Sequence, residues 1–171
     1  PEGAPTRHRV PYLDQQPGTE RSLHHLHYNQ GKRSLVLDLD TPEGAATFRR
    51  LAATADAVIE AEPHGAMDSR NLGFESLRAT NPALLYTTVT PFGQDGPLAA
   101  YRGNDLIGAA TSGLMFLNGY PEDPPNVPGA EQANHMGAVA AVSTLLIALA
   151  GRDRGDVGGR RIDASIQEAA S

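Results

Sequence analysis

The residues able to do chemistry are few, and their spacing excludes more than it proposes. Cysteine is absent from the 171 residues, which removes a thiol nucleophile, disulfides and iron–sulfur ligation, and makes a reducing cytoplasm the simplest compartment. Of six histidines, only His24, His25 and His27 cluster. No Asp, Glu or Cys completes a metal site around them at the usual spacing, so an exposed polar loop is their expected setting and no metal is expected. Asp38 and Asp40 stand two residues apart at the end of an apolar run; they read as a cap and a solvated loop residue rather than a paired acid and base. Asp105 opens a helical pattern and reads as its N-cap. Gly93, Gly96 and Gly113 need only tight turns and close helix packing.

Charge narrows the partners. The chain carries 14 Lys and Arg against 20 Asp and Glu, a formal net charge of −6, and its basic residues are scattered. That argues against a nucleic-acid partner, which requires a clustered cationic surface. A small anionic ligand stays open, because local Arg and Lys decide that. No apolar run has the length of a signal peptide or a membrane span, so no membrane partner is expected. The chain opens on PEGAPTRH without Met and closes within SIQEAAS, so both ends read as internal to a longer protein.

The elements that must position these residues follow from periodicity. Residues 1–31, rich in Pro, Gly, His and Gln, read as loop. SLVLDL (Ser34 to Leu39) reads as a short buried strand. Thr41 then caps a helix with Pro42 in its first turn, running to Ala55. DAVIEA (Asp56 to Ala61) is a second strand, Phe74 to Thr80 a helix, and LLYTTVTPF (Leu84 to Phe92) a third strand. A helix is expected from Asp105 to Leu114, a stiff Pro-rich loop over 118–129, and a buried helix over Met136 to Ala150 with Gly151 as C-cap. A polar, hairpin-like stretch over 151–161 leads to a last strand, RIDASI. Strands alternating with helices over short links predict an α/β fold of the Rossmann-like, doubly wound kind, with a mostly parallel sheet.

Five blocks together carry a resemblance. They are NQGKRSLVLDLDTPEG (Asn29 to Gly44), ADAVIE (Ala55 to Glu60), LGFESLRATNPALLYTTVTPFGQDGP (Leu72 to Pro97), ATSGLM (Ala110 to Met115) and GGRRIDASIQEA (Gly158 to Ala169). In this order and spacing the chain resembles the family III CoA-transferases, the group that includes formyl-CoA transferase, carnitine CoA-transferase and α-methylacyl-CoA racemase. The resemblance implies that residues 1–171 are part of the large domain, without its first strand and helix and without the small domain. It also implies a homodimer for the parent protein, acyl-CoA and a carboxylic acid as substrates, and no permanently bound cofactor.

The resemblance also assigns roles. An Asp carboxylate in this family attacks the acyl-CoA thioester, giving a mixed anhydride and then an enzyme-bound thioester. Counting back along the Ala-rich helix places Asn134 at that position, and an amide cannot form the anhydride. Glu131, one turn away, is either a weak substitute or a solvated carboxylate at the helix entrance. The racemase histidine corresponds to Asn104, and neither asparagine exchanges protons near neutral pH. Lys32, Arg33, Arg70 and Arg102 stand where cations would meet the cofactor's phosphates, with an ordinary surface role as the alternative for each. The family's Asn-Phe-Arg-Pro-Gly is replaced by Ala61-Glu62-Pro63-His64-Gly65. Both a transferase and a noncatalytic, degenerate module are therefore expected readings.

Overall fold

The structure, a computed structural model, describes residues 3–155 and 158–171. The chain forms two units, residues 1–38 and 39–171. The expected loop over 1–31 is partly ordered by hydrogen bonding that periodicity does not reveal. Ser22 is fully buried, and its hydroxyl caps helix α1 (Leu23–Tyr28) by accepting the His25 N–H. The histidine cluster thus lies on a helix rather than in an exposed loop. His25 is buried, with Nδ1 2.9 Å from Thr6 Oγ1 and 3.2 Å from Asn29 Nδ2.

SLVLDL is not a buried strand. Among the described residues, 34–39 join no sheet, and Leu35 and Val36 are 61% and 76% exposed. A strand satisfies its N–H and C=O groups only through a neighbour. With none described, composition alone does not bury this run.

In the second unit Thr41 behaves as its sequence predicts. Its hydroxyl accepts the Gly44 N–H at 3.1 Å and Pro42 begins helix α2 (Pro42–Ala52). Strand β1 (Ala57–Glu60) follows, then helices α3 (Ala66–Ser69) and α4 (Phe74–Arg78), and strand β2 (Leu85–Thr90). Strand β3 (Arg160–Ser165) completes a parallel sheet in the order β1-β2-β3. Alternation along β2 divides the core between the two faces. Leu84 and Tyr86 meet Ala52, Phe74 and Leu77 on one side. Leu85 and Ile162 meet Leu145 on the other. Helices thus cover both faces, and the expected α/β class with a parallel sheet is observed. Each fully buried Leu contributes about 1.5–3 kcal/mol by leaving water.

The helix expected from Asp105 to Leu114 divides. Helix α5 (Asp105–Thr111) ends before Gly113, whose φ of 87° restarts the chain as helix α6 (Leu114–Leu117). The last long helix, α7 (Gln132–Asp153), is longer and less buried than its Ala-rich sequence suggests. Ala133, Gly137, Ala141 and Leu145 form its buried stripe, while Val139, Leu146 and Ile147 are 65%, 59% and 73% exposed. By length and composition alone this helix could cross a membrane, contrary to the expectation that no run is long enough; Leu145, Ala148 and Leu149 nevertheless pack on the sheet. Gly151 is not the C-cap. The Arg152–Asp56 ion pair at 2.8 Å holds one further turn, and the chain turns left-handed at Gly155. The hairpin-like expectation for 151–161 falls partly outside the described residues. The chain closes with helix α8 (Ile166–Ala169).

Candidate functional site

The candidate chemistry in the second unit lies where α5 and α7 begin. Asn104, not Asp105, caps α5: its Oδ1 accepts the Ile107 N–H at 3.0 Å. The Asp105 carboxylate is thereby left to reach the other helix, and its Oδ1 accepts the Asn134 N–H at 2.9 Å. Helix α7 needs this borrowed acceptor, because its own entrance supplies no side-chain cap. Ala130 and Glu131 both take left-handed backbone, at φ 63° and 55°. Glu131 sits at the N-cap, where its carbonyl accepts the His135 N–H at 3.1 Å. The capping carboxylate then sits at the positive end of a 22-residue helix.

Small residues bring the two helices together. A Cβ on Gly108 would lie 3.3 Å from Ala133 Cβ and 3.1 Å from Ile166 Cγ2. A Cβ on Gly137 would lie 2.8 Å from Ile166 Cγ1. Ala109, Ala133 and Ala170 are buried in the same cluster. Asn134 and Glu131 are half-buried beside it, and Asn104 is exposed. These groups can donate and accept hydrogen bonds, but the carboxamides of Asn104 and Asn134 supply neither a nucleophile nor a general base.

The loop leading to α5 is fixed at the carboxyl end of the sheet. Asp163 accepts the Thr88 hydroxyl at 2.8 Å and the Gln94 N–H at 2.7 Å. Gln94 Oε1 in turn lies 3.1 Å from His64 Nδ1, so the loops after β1 and β2 are cross-linked to β3 itself. Glu60 and the buried Tyr86 line a small polar cavity here, of about 140 Å³. Burial pushes the Glu60 carboxyl above the usual carboxylate range. Burial, with Glu60 nearby, pushes the Tyr86 phenol up as well.

The predicted cations fall in separate places. Lys32 and Arg33 line an open groove of about 1000 Å³ within the first unit. Lys32 Nζ lies 3.2 Å from Asn29 Oδ1, and the groove's apolar side comes from Leu26, Leu35 and Val36. Arg7, which sequence reasoning missed, joins them and pairs with Glu20. Arg70 belongs to the second unit and is already engaged, 2.7 Å from Asp40 and 3.4 Å from Glu62. Its hydrogen bond and charge hold the Asp40 carboxyl below the usual carboxylate range. Asp40 is thus an ion-pair partner rather than a merely solvated loop residue. Arg102 is exposed in the loop before α5. Asp105 as the cap of α7 was also missed. Its signal was negative: GAEQ offers no Ser, Thr, Asp or Asn at the cap position of α7, so the cap had to come from elsewhere.

The sequence model of CoA-transferase family III matches residues 1–171. The chain belongs to CoA-transferase family III. It is 39% identical over 170 residues to the succinyl-CoA:(R)-benzylsuccinate CoA-transferase subunit BbsE of Thauera aromatica, covering 99% of this chain and 41% of that protein. It is 41% identical to the succinate–glutarate CoA-transferase of Agrobacterium fabrum, covering 81% of this chain and 35% of the relative. Human α-methylacyl-CoA racemase is 37% identical over 94% of this chain and 41% of its own length. A CAIB/BAIF family crystal structure from Brucella suis superposes with a TM-score of 0.90 at 37% identity, covering 100% of this chain and 45% of that one. The chain therefore spans about two fifths of the length of the family III relatives it matches.

Proposed function

We propose that the protein carrying this chain transfers coenzyme A from an acyl-CoA to a carboxylic acid, with coenzyme A as substrate rather than as resident cofactor. The observation that carries this reading is the family III match over residues 1–171, whose relatives include named CoA-transferases. The groove in the first unit supports it: Lys32 and Arg33 bring two cations to an open cleft with an apolar side, beside the Arg7–Glu20 pair. That combination suits an anionic phosphate chain attached to an apolar linker. We assign the chain to part of a Rossmann-like, doubly wound large domain, in a dimeric and cytoplasmic parent. Helices on both faces of the parallel sheet support the domain assignment, and the absence of Cys supports the compartment.

Transfer requires a carboxylate to attack the thioester carbonyl, so that the C–S bond breaks and thiolate leaves as an anhydride forms. Thiolate return to the enzyme carbonyl then releases the first acid, and the acceptor acid repeats the sequence in reverse. Asn134 cannot take the first step. Either Glu131, at the entrance of the same helix, or a group outside this chain supplies the carboxylate.

A second reading has its own support. Asn at both 104 and 134 favours a noncatalytic, degenerate module with a structural or acyl-CoA-binding role. The relative from Thauera aromatica is itself named as a subunit. One experiment separates the two: mix the full parent protein with acyl-CoA thioesters and carboxylates, and follow CoA exchange by mass spectrometry beside Asn134→Asp. Exchange by the unaltered protein supports the transferase, and its loss in Glu131→Gln would assign the nucleophile. No exchange except in Asn134→Asp would leave the noncatalytic reading standing, and none in either would sink the transferase proposal.

A further inference from the structure

Among the described residues, a charged hydrogen bond joins α5 to α7, and it falls on the backbone of residue 134. Asp105 and Gly108 lie three residues apart on α5 and therefore share a face. Gly108 meets Ala133, and Asp105 meets its neighbour Asn134. Close packing of Gly108 on Ala133 and Ile166 sets the distance between the helices. It does not fix how the first turn of α7 is rotated. That turn has no side-chain cap of its own and enters through two consecutive left-handed residues, a conformation non-glycine residues keep only when their surroundings impose it. The Asn134 side chain makes no hydrogen bond among the described residues, so its backbone is what places it.

We propose that Asp105 is a positioning residue: its carboxylate locks the first turn of α7 and thereby sets where the side chain of residue 134 projects. The placement itself stands on the geometry alone; its consequence for CoA transfer rests on the reading above. The body of α7 is anchored independently, by Leu145 and Leu149 on Leu85 and Ile162. Loss of Asp105 therefore frees the entrance of the helix without detaching it from the sheet. The Asn104 cap on Ile107 is a built-in control, since that bond closes α5 itself.

The test is amide hydrogen exchange on the parent protein and on two variants of it, with CoA-exchange kinetics on the same proteins. In Asp105→Ala, exchange at amide 134 accelerates tenfold or more while amide 107 changes less than twofold. Asp105→Asn, which keeps an oxygen acceptor, returns amide 134 to within about threefold of the unaltered chain. In the parent protein, where the same turn carries Glu131 at its N-cap, transferase kcat falls at least tenfold in Asp105→Ala, with KM for acyl-CoA within threefold, and Asp105→Asn rescues it. Unchanged protection at 134 in Asp105→Ala would overturn the proposal, as would equal loosening at 107 and 134. If the unaltered parent shows no CoA exchange, the transferase reading fails, and amide 134 still decides the positioning.

Discussion

Returning a carboxylate to position 134 should carry a pH-dependent stability penalty. In Asn134→Asp the new carboxylate starts from a residue whose backbone nitrogen is 2.9 Å from Asp105 Oδ1, and a separation of roughly 4 Å serves as the close limit for the two carboxylates. At that distance like charges repel by about 1 kcal/mol in water and about 4 kcal/mol at an effective dielectric of about 20. Residue 134 is half-buried, which places the repulsion near 2 kcal/mol. The first turn of α7 offsets about 0.3–1 kcal/mol of this by favouring negative charge. The net penalty is about 1–2 kcal/mol, equivalent to raising the new carboxyl by roughly one pH unit. A raised carboxylate is destabilising in one direction only. Below the ordinary Asp range it is neutral in both folded and unfolded chains, and the penalty is absent. As pH rises the unfolded chain ionises first, and the penalty is complete once the folded carboxyl has also ionised. Thermal unfolding of the variant and the unaltered chain checks this. The melting temperatures should agree at pH 3.5 and differ by roughly 2–8 °C at pH 7. A difference that does not depend on pH, or a variant more stable at pH 7, would refute the like-charge reasoning and with it the placement of Asp105.

Two further outcomes follow from the same structure. Glu60→Gln should stabilise the fold above the ordinary Glu range and leave it unchanged below, because burial raises this carboxyl while a Gln oxygen can still accept the Glu62 N–H; equal effects at pH 3.5 and pH 7 in thermal unfolding would exclude it. Gly159→Ala should cost about 1–3 kcal/mol in chemical denaturation. Its Cβ would lie 2.6 Å and 2.7 Å from the carbonyl oxygens of Pro82 and Leu84, which belong to the backbone and cannot rotate away; a loss within about 0.5 kcal/mol would show that the start of β3 is not held there.

What the sequence determined by itself was mostly local. Thr41-Pro42 announced the start of α2 because capping and proline geometry are settled within one turn. The short apolar or β-branched runs at 57–60 and 85–90 became strands, and so did the mixed stretch at 160–165, where Ile162 and Ala164 alternate with polar residues. The place of Asn134 at the entrance of a long Ala-rich helix was also legible, since counting along a helix needs no partner. Tertiary structure decided the rest. SLVLDL reads as a strand, yet residues 34–39 join no sheet among the described residues, because pairing is a property of two segments. The Ala-rich run reads as buried, yet α7 hides only the stripe through Ala133, Gly137, Ala141 and Leu145; low contrast around the helix leaves its orientation to the sheet. Asp105 reads as the cap of its own helix. Only the approach of α5 to α7 through Gly108 shows that its carboxylate serves residue 134, because a hydrogen bond spanning 29 residues has no local signature.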